Sequence, residues 1–281
     1  MGFIDRLEKF RITHRQIAIM DGSLALITIF LMVPIPMIIG PITMDFYNEI
    51  QKLPPGSVIA WAQNCAFGTY MTKKDGYRAV VYSIFDRGLK LILYSFDPDA
   101  PQLNAAVMAY CNVEKKYGAK YGVDYVIFPF LAGEETAMAA VATDTRVLKT
   151  DLFGNDIESL PLMKNVRSMR DIPLTIMDAG SFTFAEMWAR QWPAKYGNRA
   201  LNAYIFATTA AVYGVYVHGC LDGVRGYAEY EKLTGYLGDH LIKMNARNLQ
   251  GLAVFIVVGL GNISWAIAKY RKREVKVRPL G

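Results

Sequence analysis

Two long apolar runs, one near each end of this 281-residue chain, restrict its fold more than any other feature. From Ile17 to Gly40 the sequence reads IAIMDGSLALITIFLMVPIPMIIG, with Asp21 its only charge; from Leu249 to Ala268 it reads LQGLAVFIVVGLGNISWAIA, with none. About 20 predominantly apolar residues span the hydrocarbon layer as a helix, so residues 17–40 and 249–268 are each expected to cross the bilayer. Pro34, Pro36 and Pro41 end the first helix on its outer side, where freed backbone groups reach water. That run is long for a cleaved leader and lacks a small-x-small cleavage site.

Charge sets the orientation. Arg6, Lys9, Arg11 and Arg15 precede the first run, and Lys269, Arg271, Lys272, Arg273, Lys276 and Arg278 follow the second. Basic flanks stay in the cytoplasm, so residues 1–16 and 269–281 are expected inside the plasma membrane and residues 41–248 outside it. Those ten residues are a third of the 31 Lys and Arg, and once they and the acids Asp5, Glu8, Asp21 and Glu274 are set aside the centre is balanced in charge. The net +6 therefore belongs to the membrane flanks and gives no support to a nucleic-acid partner. In the polybasic tail, Arg271, Lys272 and Arg273 are expected to meet anionic lipid headgroups, at about 1 kcal/mol each; the bland alternative is orientation alone. A third apolar stretch, residues 201–220, carries Asn202, His218, Thr and several Tyr, and reads as a buried strand and helix rather than another crossing.

Between the crossings, short β-rich apolar runs alternate with helical patterns, the signature of a parallel sheet covered on both faces. Five strands are predicted, at 57–62, 89–95, 125–130, 174–177 and 203–208, with helices near 70–87, 101–117, 134–148 and 183–196. Right-handed crossovers then give a doubly wound, mainly parallel, flavodoxin- or Rossmann-like α/β domain over residues 41–208. Residues 150–173 break the alternation and are the expected functional or interface loop. Residues 209–248 read as one long helical segment containing Gly214, Gly219, Gly223 and Gly226. Glycine costs about 1 kcal/mol inside a helix, so these four suggest close approach by another backbone, within the domain or between subunits.

Ligands of an open parallel sheet bind at the carboxyl ends of its strands. Those positions carry Asn64 and Cys65, Asp97 and Asp99, Glu134 and Glu135, Asp178 and Ser181, and Thr208 and Thr209. The ligand-binding set is taken as Asp97, Asp99, Glu134, Glu135, Asp178 and Ser181, whose carboxylates suit a hard divalent cation such as Mg²⁺ or Ca²⁺. Every one of these acids also sits where a helix N-terminus favours a cap or a negative charge. The turn AWAQNCAFGTYM after the first strand holds a single glycine, so neither a dinucleotide nor a P-loop phosphate fingerprint is present and no organic cofactor is expected. Cys65, Cys111 and Cys220 form no C-x-x-C; Cys65, at a strand end, is the one nucleophile to consider. No histidine is placed for general-base work.

The stretches LPPGSVIAWAQ (53–63), KKYGAKYGVDYVIFPFLAGEE (115–135), DLFGNDIESLPLMKNVRSMRD (151–171), GCLDGVRGYAEYEKL (219–233) and GLGNISWAIAKYRKR (259–273) resemble a family of small two-crossing bacterial and archaeal membrane proteins. The resemblance implies the same architecture and carries no activity with it. Asn64-Cys65-Ala66-Phe67 departs from the small or acidic residues of that family. Function is expected to be that of a non-enzymatic scaffold subunit in a membrane complex, built with copies of itself or with other membrane proteins. The alternatives are an extracytoplasmic receptor or ectoenzyme using the strand-end acids, and an accessory subunit of a transporter or secretion complex.

Overall fold

The computed structural model describes residues 13–31, 36–179, 181–203 and 217–277, without the side chains of 29–31, 179 and 271–277. Two compact units result, one spanning Met37–Leu241 and the other formed from the two ends of the chain.

The larger unit is built on six strands: β1 (Val58–Asn64), β2 (Lys90–Ser95), β3 (Tyr125–Phe130), β4 (Leu174–Ala179), β5 (Arg199–Asn202) and β6 (Gly219–Cys220). All pairings are parallel, in the order β3-β2-β1-β4-β5-β6, so the strand order reverses between β1 and β4. Side chains alternate between faces along a strand, which sends Ile59, Trp61, Leu174, Ile176 and Leu201 to one side of the sheet and Ala60, Ala62, Met177 and Ala200 to the other. The first side packs against α2 (Pro41–Gln51), α3 (Phe67–Asp86), α4 (Ala100–Cys111) and α9 (Gly223–Thr234). The second packs against α6 (Glu134–Thr143) and α7 (Phe182–Gln191). Short helices α5 (Val113–Tyr117) and α8 (Pro193–Tyr196) complete this unit.

Four expectations are corrected here. The sheet has six strands rather than five, and its fifth runs over Arg199–Asn202, just ahead of the predicted 203–208, of which 204–208 lie outside the described residues. The predicted helix at 101–117 divides at Asn112, whose left-handed φ of 49° breaks the helical path, and the one at 183–196 divides before Pro193. Residues 150–173, expected as a functional or interface loop, are for the most part packed into the domain. They form three short 3-10 turns that bury Ile157, Leu160, Leu162, Met163, Val166, Met169 and Ile172 in the second core, so their irregular sequence serves packing. Finally, the segment at 209–248 is not one helix: Gly219 lies in β6, α9 follows, and a turn at Gly235 (φ 77°) leads into α10 (Asp239–Val277), which absorbs the predicted second crossing.

In the unit formed by the chain ends, α1 (His14–Leu31) and the greater part of α10 meet where the Gln250 amide donates to the Asp21 carbonyl at 3.2 Å. Among the described residues one stretch is long and apolar enough to cross a membrane, Asp239–Tyr270 of α10, and it leaves Phe255, Val258 and Trp265 exposed. Helix α1 is 18 residues long. At 1.5 Å per residue it reaches about 27 Å, just short of the hydrocarbon thickness, and the residues 32–35 expected to extend it lie outside the described part.

Candidate functional site

At the reversal point, Gln63, the penultimate residue of β1, pairs in register with Asp178 of β4. Both point to the face covered by α3, and from the second turn of that helix Lys73 reaches Asp178 Oδ1 in an ion pair with both side chains fully buried. Burial raises the Asp178 pKa above the ordinary carboxylate value, and the Lys73 ammonium opposes the rise. Among the described residues, Asp178 Oδ2 and both polar atoms of the Gln63 amide have no hydrogen-bond partner. Each such atom costs about 1–3 kcal/mol unless a water or ligand meets it. Cys65, one residue past β1, is also buried and accepts a hydrogen bond from the Tyr77 hydroxyl at 3.5 Å. Burial, reinforced by Asp178, pushes its thiol pKa far up. A thiol held protonated is a poor nucleophile.

The other strand-end residues disperse. Asp97 accepts the Asp99 amide at 2.9 Å, while Asp99 accepts the Phe67 amide at 3.4 Å and so serves the start of α3, not its own helix. Glu134 begins α6 with a left-handed φ of 45°. Glu135 takes a bidentate bond from Arg190 (3.1 and 3.0 Å) and a third from Gln191, which pull its pKa down. Ser181 caps α7 by accepting the Phe184 amide at 3.2 Å. Glu135 thus belongs to the α6–α7 layer and Asp178 to the α3 layer, on opposite faces of the sheet, so the six residues do not converge on one ion. Thr208, Thr209 and Gly214 lie outside the described residues, as do the side chains of Arg271, Lys272 and Arg273.

The groups that do gather are on α9. Glu229 Oε2 accepts the Gly40 amide and the Thr43 hydroxyl, both at 2.8 Å, at the start of α2, while its other oxygen holds Arg225. Lys232 donates to the Met37 carbonyl at 2.8 Å. Two residues from Glu229, Glu231 Oε2 accepts the amides of Gly238 (3.1 Å) and Leu241 (3.0 Å) at the start of α10. Its Oε1 lies 2.7 Å from His240 Nδ1, and His240 Nε2 lies 2.8 Å from the Thr72 carbonyl of α3. Glu231, Asp239 and His240 bring a ligand atom each within 4.8 Å, a spacing that suits a metal. Yet both ring nitrogens and both Glu231 oxygens already serve protein groups, so the cluster acts as a helix cap.

Of the four glycines expected to mark close approach, Gly219 and Gly226 have close neighbours within the domain. A Cβ at Gly219 would collide with the Phe46 backbone of α2, and one at Gly226 would lie 2.6 Å from the Leu221 carbonyl carbon. Gly223 opens α9 with a φ of 61°. The tightest helix contact belongs instead to Gly76 of α3, which lies under the Tyr227 ring of α9. Lys73, Gln63, Glu229, Glu231 and His240 all escaped sequence reasoning.

Comparison with protein-family models, curated proteins and solved structures found no match for this chain.

Proposed function

We propose that this chain is a membrane-anchored structural subunit, a Rossmann-like domain held by a membrane helix near each end and assembled with copies of itself or with other membrane proteins. The observation that carries the reading is the clasp on α9. Within four residues, Glu229, Glu231 and Lys232 hold the chain both where it enters the domain, at 37–43, and where it leaves, at 238–241. A domain whose entry and exit segments are fixed to one helix keeps its two connections together, which suits a scaffold. These connections also suit two crossings at 17–40 and 249–268 with both termini in the cytoplasm and the domain outside. The strand order supports the Rossmann-like reading, since 3-2-1-4-5-6 is that of dinucleotide-binding sheets. The glycine-poor turn after β1 and the dispersed acids support a role other than catalysis.

Extraction in maltoside followed by mass photometry is the test: oligomers or a heteromeric particle are expected, and a solely monomeric chain overturns the proposal. Co-purification of a transporter or secretion component would assign the chain to such a complex as an accessory subunit. A second reading, a receptor with a ligand at the β1/β4 reversal, draws on the unmet hydrogen-bonding atoms of Gln63 and Asp178. Native mass spectrometry would decide it, by an added small-molecule mass that Gln63→Leu removes.

A further inference from the structure

A groove of about 340 Å³ lies along the edge strand β3, away from the reversal point, between α4, α5 and the chain around Phe153. That volume is within the range of small-ligand sites. Three aromatic rings line it at steep angles to one another. Tyr121 is edge-on to Tyr125 (5.2 Å between centroids, 89° between planes) and edge-on to Phe153 (5.0 Å, 77°). Its floor includes Met108, Val113 and Ile127, and the one ionisable carboxylate in its lining is Glu114, held by the Tyr125 hydroxyl at 2.9 Å. Phe153 is 61% exposed, and exposing so much of a large ring is unfavourable, although it packs edge-on against Tyr121.

We propose that this groove is a binding site for a quaternary or methylated ammonium group. The argument is electrostatic complementarity. Perpendicular rings present negative π faces from different directions, and a cation too large to be well hydrated gains most from such a box. Glu114 supplies the counter-charge at the rim, and Asp151, buried behind Tyr121, adds to the same field. Glu114 is the one charged group in the lining, and no Lys or Arg contributes to its wall. A neutral ligand of equal shape would gain the apolar contact but not the electrostatic part. An anion would meet Glu114. The site therefore selects by charge, independently of whether the chain is a scaffold.

The test is calorimetric titration of the full chain in maltoside with choline, phosphocholine and tetramethylammonium, with 3,3-dimethylbutanol as the neutral isostere. The cations are expected to bind roughly tenfold or more tightly than the isostere. Glu114→Gln and Phe153→Leu are each expected to weaken cation binding several-fold with an unchanged unfolding midpoint, since both side chains are exposed. Cations that do not bind, or that bind no better than the isostere, overturn the proposal, as does a Phe153→Leu chain that folds and binds normally. The same titration in phosphatidylcholine and phosphatidylglycerol nanodiscs separates the sources. Loss of the signal only in phosphatidylcholine identifies a lipid headgroup as occupant, and its retention in both identifies a free ligand.

Discussion

The buried pair of Lys73 and Asp178 makes a sharp prediction about stability and pH. Lys73→Met preserves most of the side-chain volume, so little packing is lost, and the main consequence is a carboxylate left alone where both partners had zero exposure. Breaking a buried pair from one side costs about 3–5 kcal/mol, whereas replacing both members by apolar residues is close to neutral. Lys73→Met and Asp178→Asn are each expected to lose stability on that scale, and Lys73→Met/Asp178→Leu to recover most of it. The pH dependence follows from the raised Asp178 pKa. An acid whose folded pKa exceeds its unfolded value favours the fold below the unfolded pKa and loses that contribution as pH rises through the folded one. Removing Lys73 raises the folded pKa further, so the penalty of Lys73→Met is smallest near the unfolded value of about 4 and grows toward neutral pH. Urea unfolding in maltoside, read by the buried Trp61, Trp188 and Trp192, measures all of this. A penalty below about 1 kcal/mol, a flat pH profile, or a double variant as unstable as the sum of the singles would refute the reasoning.

Three further outcomes follow from other contacts. Glu49 joins α2 to β5 through Arg199 at 2.7 Å, and that bond with help from Lys52 holds its pKa down to about 2. Its contribution is present above the unfolded value and lost as pH falls through about 2. Glu49→Gln is therefore expected to cost about 1–2 kcal/mol at pH 7, discounted because the Lys52 and Arg199 side chains are 65% and 48% exposed, and only a small part of that at pH 2, by the same unfolding assay. Gly219→Ala drives a methyl into the α2 backbone and is expected to cost about 1–3 kcal/mol, visible as a lowered unfolding midpoint. Glu231→Ala strips the cap from α10, and hydrogen exchange should speed up at 238–241 while the amides of β1 and β2 stay protected.

The sheet was legible because its strands are short, apolar and bounded by turn residues, and four of the five predicted strands overlap observed ones. The misplaced and missed strands have a common cause. Residues 199–202 and 219–220 are only four and two residues long, so neither shows a period of its own, and β6 is fixed by α2 packing against Gly219, a contact 173 residues away in sequence. The same limit applies to the candidate site. Asp178 was visible from its place at a strand end, but its partner is on a helix after a different strand, and a lysine at that spacing looks like any surface lysine until the helix is docked. Acids predicted to converge were indistinguishable from caps because both roles put a carboxylate after a strand and before a helix. Only their hydrogen bonds separate the two, and for Asp97, Asp99 and Glu135 those bonds run to amides and to an arginine.

The contacts that close the domain are all remote in sequence. Gly40 meets Glu229, Glu49 meets Arg199 and Phe46 packs on Gly219, so α2, the first helix of the domain, is seated by its last strands and by α9. Ordering so long an intervening chain is entropically costly before these contacts reward it, so α2 and α9 are expected to dock late and together in folding. The connectors at 37–40 and 238–241 are gripped by that same late-forming element. Until α9 is docked, neither connector is fixed to the domain; once it is, both are fixed together. A lesion in the clasp is therefore expected to free both connectors while the sheet remains folded, so Glu229→Ala should raise hydrogen exchange at 40–43 and, through α9, at 238–241. Exchange confined to 40–43 would mean that the two ends are held independently, and the joint anchoring would have to be abandoned.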